Sequence, residues 1–234
     1  GQILTMVQIT LPSNDKLDFE GSISGLAIAE RISKSLAKAS VAIEVDGQIK
    51  DLSFEITNDS KVSIIKGDSK EGLEIIRHSS AHLLAQAVKR VYPEVQVTIG
   101  PVIEDGFFYD FAKDEPFTPE DLKKLEKEMK KIVQEKLPVS RAVMDRDDAI
   151  KYFKKMGEVY KAEIISDLPE DEVLSLYSQG DFTDLCRGPH VPHTGHLKAV
   201  KLTKIAGAYW RGDSNNEMLQ RVYGTAWNTQ DQLD

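Results

Sequence analysis

Apolar and polar residues alternate from residue 5 to 11, with Val7, Ile9 and Leu11 set against Gln8 and Thr10, the two-residue period of a half-buried strand. Pro12-Ser13-Asn14-Asp15 supplies turn chemistry before residues 17–20, so the chain is predicted to open on a hairpin. After a Ser22 or Ser24 cap, Leu26, Ala29, Ile32 and Leu36 recur at helical spacing. Strands are predicted at 41–45 and 61–65, with Asp46-Gly47 as a tight turn. Two strands, a helix and two more strands form the order of a small β-grasp, ubiquitin-like domain. The polar, glycine-containing stretch 66–69 marks its end, which divides the chain into 1–67 and 68–234.

A long helix is predicted next, over 69–91. Leu73, Ile76, Leu83, Leu84, Ala87, Val88 and Val91 share one broad stripe, and His78 and His82 fall roughly opposite it, which sets them apart from ordinary core histidines. Residues 95–99 and 107–111 read as strands around Gly100-Pro101 and a Glu104-Asp105-Gly106 turn. Thr118-Pro119-Glu120-Asp121 is a helix start with a cap, a proline at the first position and an acid three residues on. Strands are expected at 139–144, 159–165, 174–177, 199–205 and 219–223, and a short helix at 147–156 ends at Gly157. The second domain is therefore expected to be α+β, an antiparallel sheet with helices packed on it.

Composition narrows the function. A formal charge of −8 over 234 residues, with no basic run, argues against a surface built wholly for nucleic acid, although contact with one RNA end stays open. One cysteine cannot form an intramolecular disulfide, and no run of about 18 apolar residues or signal-peptide layout occurs, so a cytoplasmic protein is expected. The leading four residues read as partly an addition, and the charged stretch 230–234 reads as a cut end.

The chemistry gathers in two stretches. His78 and His82 stand four apart on one helix, and Cys186 and His190 repeat that spacing in a loop shaped by Gly188-Pro189, so three of the five histidines and the only cysteine are committed to two short motifs. Two imidazoles, a thiolate and a third imidazole suit tetrahedral zinc. The alternative is two unrelated pairs with Cys186 as a small buried hydrophobe.

RHSSAHLLAQAVK, IGPVIEDGFFYDF, LYSQGDFTDLCRGPHVP and AGAYWRGDSNNEMLQRVYGTAW resemble, in order, the N-terminal region of bacterial threonyl-tRNA synthetase, and the first domain resembles its TGS module. The resemblance covers essentially the whole chain. It implies a TGS-like β-grasp domain followed by an editing domain that hydrolyses the ester of mischarged seryl-tRNA(Thr) with an activated water. The aminoacylation core and anticodon-binding domain, which lie further along in that family, are the expected partners together with the aminoacylated end of threonine tRNA; no membrane partner is expected. By the same resemblance His78 and Lys161 are the catalytic pair, while His82, Tyr109, Asp184, Cys186 and His190 bind substrate, Asp184 holding the ammonium group. The resemblance also implies that no cofactor is required, with zinc on His78, His82, Cys186 and His190 as the lesser alternative. A non-catalytic RNA-binding module and a zinc hydrolase of another substrate are the competing functions. His193 and His196 are expected in a solvent-facing loop without a role, and Arg211 beside Asp213 as a loop tie.

Overall fold

The computed structural model describes residues 5–234, so the reading of the first four residues as an addition falls outside it. The chain is α+β, and its described residues divide into two compact units, one up to residue 75 with 188–192 and the other of residues 76–187 with 193–234.

In the first unit, Met6–Thr10 pairs antiparallel with Lys16–Glu20 and parallel with Ser60–Lys66. Ser60–Lys66 is also antiparallel to Ser40–Val45, which continues into Gln48–Asp51. Between those last two strands Asp46 and Gly47 both take positive φ, 48° and 87°, the geometry of a two-residue hairpin turn whose twist matches its strands. Ser24 caps the helix Gly25–Ile32 by accepting the Ala27 N–H at 3.1 Å. Val7, Ile9, Ile28, Ile43, Leu52, Ile56 and Val62 close between helix and sheet. Two hairpins flank the central strand Ser60–Lys66, which runs parallel to Met6–Thr10, and with a helix across one face they make the predicted β-grasp.

The helix Lys70–Val91 begins after Ser69, whose hydroxyl accepts the Gly72 N–H at 3.0 Å. In the second unit, Ala199–Tyr209, Met218–Trp227, Gly106–Ala112 and Gln96–Val97 form an antiparallel sheet in that order. Val139–Asp145, Val173–Gln179 and Phe182–Leu185 form another. The helix Pro119–Glu135 has the predicted capping box at Thr118 and buries Leu125, Met129 and Ile132.

Four expectations are corrected. Residues 159–165 are not a strand but most of the helix Val159–Ser166. Their β-branched content suggested a strand, but Ala162 and Ile165 meet Ala149 and Phe153 at helical spacing. The long helix has no polar rear face over its second half: every residue from 79 to 88 is buried, His82 included at 5% exposure. A helix buried all round defeats the inference from a single stripe. His193 and His196 are half-buried, with ring centroids 4.4 Å apart, His196 ending the short 3-10 turn Thr194–His196 and His193 capping its start. Arg211 pairs with Asp167 and Glu163, not with its neighbour Asp213.

Candidate functional site

Four elements of the second unit converge on one carboxylate. Asp184 comes from the strand Phe182–Leu185, Tyr109 from Gly106–Ala112, Lys161 from Val159–Ser166 and His82 from Lys70–Val91. Asp184 Oδ1 accepts from Lys161 Nζ at 2.6 Å and from the Leu185 N–H at 2.8 Å. Its Oδ2 accepts from the Tyr109 hydroxyl at 2.8 Å and lies 3.4 Å from His82 Nε2. A carboxylate has about four acceptor positions, and here four donor groups face them.

The Lys161 ammonium is used as fully. Besides Asp184 it donates to the Thr98 carbonyl at 2.5 Å and to the Tyr109 oxygen at 3.4 Å, which engages all three of its protons. Lys161 and Asp184 are 3% and 2% exposed. Burying either charge alone would be strongly unfavourable, so each requires the other.

The neutral groups around this pair are held neutral. Burial, then the Asp184 charge and its hydrogen bond, push the Tyr109 phenol well above its ordinary range, so it remains a donor. Burial holds the His82 imidazole well below its usual value, and His78 and Lys161 add to the effect. Its approach to Asp184 is thus that of a neutral ring rather than a salt bridge.

Beside this network lies the thiol–imidazole pair. Cys186 Sγ is 3.3 Å from His78 Nε2, and both residues are half-buried. The His78 and His82 rings are 6.0 Å apart. Cys186 is fixed by its backbone, its N–H donating to the Ser175 carbonyl at 3.1 Å and its own carbonyl accepting the Ser175 hydroxyl at 2.5 Å. A half-buried imidazole against a thiol can accept a proton from water or from the sulfur.

The structure therefore brings together His78, His82, Tyr109, Lys161, Asp184 and Cys186. His190 falls in segment 188–192, which groups with the first unit, and its N–H donates to Asp51 at 3.0 Å. Its role in a pocket rests on the resemblance. Of the residues considered for zinc, His82 has its Nε2 3.4 Å from Asp184 Oδ2.

Several contributors carry no motif. Thr98 offers a backbone oxygen, invisible to residue type. Glu158, 3% exposed, accepts from Lys89 Nζ at 2.6 Å and from the Val97 N–H at 3.1 Å, while the Val159 N–H donates to Gln96 at 2.9 Å. These bonds tie the start of the Lys161 helix to the segment that supplies Thr98. Glu158 lies three residues before Lys161, and only that proximity could have suggested it.

Comparison with known proteins agrees with the two-part architecture. The family described as TGS domain matches residues 7–66, and the family described as threonyl and alanyl tRNA synthetase second additional domain matches residues 174–223, which include Asp184 and Cys186. Each family match thus covers one part of the chain, the first within residues 7–66 and the second within 174–223. It is 58% identical over 228 residues to a threonine–tRNA ligase of Polaromonas naphthalenivorans and 58% identical over 228 residues to one of Methylococcus capsulatus. A threonine–tRNA ligase of Saccharophagus degradans is 59% identical over 228 residues. Each match covers 97% of this chain and 36% of the relative, so the chain spans about a third of the length of these curated relatives. Over nearly its whole length the chain is thus similar to part of the threonine–tRNA ligases, including their TGS domain and second additional domain. Among the described residues no helix is long and apolar enough to cross a membrane.

Proposed function

We propose that the second unit is a deacylase that hydrolyses the ester joining serine to the terminal adenosine of threonine tRNA. The observation that carries this reading is the His78–Cys186 contact at 3.3 Å beside a fully engaged Lys161–Asp184–Tyr109 network, in a chain similar throughout to threonine–tRNA ligases. Serine lacks one methyl of threonine, a difference worth only about 1–3 kcal/mol in a binding pocket, so a synthetase gains from a second site that removes the smaller residue.

In the proposed reaction His78 takes a proton from water as its oxygen attacks the ester carbonyl carbon. The carbon–oxygen bond to ribose breaks, the proton passes to the departing ribose oxygen, and serine and deacylated tRNA leave. Cys186 lines the reacting side of His78. Lys161 acts as a positioning residue: its three donors are already engaged, so it fixes Asp184, and through Asp184 the Tyr109 and His82 walls. Preorganised polar groups of this kind act without reorganising during the reaction.

The test is single-turnover release of serine from Ser-charged threonine tRNA by the wild-type chain and by His78→Ala. Removing a general base should lower the rate by about 100-fold or more with an unchanged melting curve. A near-normal rate in the variant would move the chemistry away from His78.

A further inference from the structure

The main sheet of the second unit carries a second kind of surface, on the face opposite Phe107, Tyr109 and Phe111. Register places Phe108 opposite Tyr223, Asp110 opposite Arg221 and Gly106 opposite Thr225. On the neighbouring strand Lys201 lies opposite Thr225 and Lys204 opposite Tyr223, past a bulge between Leu202 and Lys204. Residues two apart share a face, so Phe108, Arg221, Tyr223, Trp227, Lys201 and Lys204 form one ladder. Lys201 and Lys204 are exposed, and the three aromatic rings are half-buried.

Each ring of this ladder is matched to a cation. The Arg221 guanidinium lies 3.9 Å from the Phe108 centroid, the Lys204 ammonium 4.5 Å from Tyr223, and the Arg77 guanidinium 4.7 Å from Trp227. Phe108 and Tyr223 are 5.7 Å apart. Two of the four cations are paired with carboxylates, Arg221 with Asp110 at 2.8 and 3.0 Å and Arg77 with Asp105 at 3.8 Å. Lys201 and Lys204 are exposed on this face, on a chain of net charge −8.

Aromatic rings interleaved with Lys and Arg along an open sheet suit flexible single-stranded nucleic acid, whose bases stack on rings and guanidinium planes while phosphates meet the cations. A duplex hides its bases in the stack and would use the cations alone. We propose that this sheet face is a binding platform for single-stranded RNA, separate from the Asp184 network on the other side of the sheet. Its rows span about 20 Å from Arg221 to Trp227, enough for a short run of nucleotides.

The test uses the wild-type chain and a labelled, unacylated oligoribonucleotide of roughly ten nucleotides, followed by anisotropy at low salt, with the duplex of the same sequence alongside. The probe carries no ester, so the result is independent of whether the chain hydrolyses seryl-tRNA. Saturable binding is expected, tighter for single strand than for duplex, weakened about tenfold by Tyr223→Ala and unchanged by Tyr223→Phe. Lys201→Ala with Lys204→Ala, both at exposed positions, should weaken binding and flatten its salt dependence. Absence of saturable binding, equal affinity for the duplex, or full affinity in Tyr223→Ala would overturn the proposal.

Discussion

The first unit closes over Val7, Ile9, Ile28, Ile43, Leu52, Ile56 and Val62, a cluster without an ionisable side chain, whereas the second buries Lys161, Asp184, Glu158 and His82 among its apolar residues. Apolar burial stabilises a fold directly, by about 25 cal/mol per Å². A buried ion pair does not, because desolvation offsets most of the attraction between its charges. The first cluster is thus sufficiently explained by folding. The second requires another reason, and preorganised chemistry supplies one.

That contrast can be broken most forcefully at Asp184. Replacing it with alanine leaves the Lys161 ammonium buried without its counter-ion, which should cost about 3–5 kcal/mol and abolish serine release. A denaturant midpoint and a single-turnover assay read the two effects. In the first unit Ile43→Ala opens a cavity costing about 2–5 kcal/mol, yet at temperatures where the variant stays folded its hydrolysis should match wild type. Loss of activity in the folded variant would mean that the apolar cluster also serves the chemistry.

Smaller effects sharpen the comparison. Thr118→Ala removes one half of a capping box and should cost about 1 kcal/mol in thermal or denaturant unfolding, with no change in the hydrolytic rate. Acid should act on the second unit through its histidines. Burial holds His82 well below its ordinary value and His193 below it; burial, with His193 and Lys198 nearby, brings His196 down to about 4. The unfolded chain takes up these protons near pH 6.5 and the folded chain only at lower pH, so stability falls as pH drops from about 6.5 towards 4. Melting at stepped pH measures this, and His196→Gln should reduce the slope.

How far the sequence could be read depended on distance along the chain. The β-grasp unit was legible because its hairpins, cap and turn are local: Asp46-Gly47 and Ser24 act within a few residues. The Thr118 cap and the His78, Asp184 and Cys186 motifs were legible for the same reason. What escaped was set by tertiary packing. Lys161 sits on a helix because its apolar neighbours meet Phe153, His82 is buried because the long helix is covered all round, and Asp184 is filled by donors from three other elements. The cationic, aromatic sheet face joins Arg77, Phe108, Lys204 and Arg221 across more than a hundred positions, so no run in the chain announces it.

The central claim is tested most directly by comparing release of serine from Ser-charged threonine tRNA with release of threonine from the correctly charged tRNA, at equal concentrations of the wild-type chain. Serine should be released at least about tenfold faster, the scale set by one methyl group in a fitted pocket. Equal rates, or no release of either amino acid, would contradict the account.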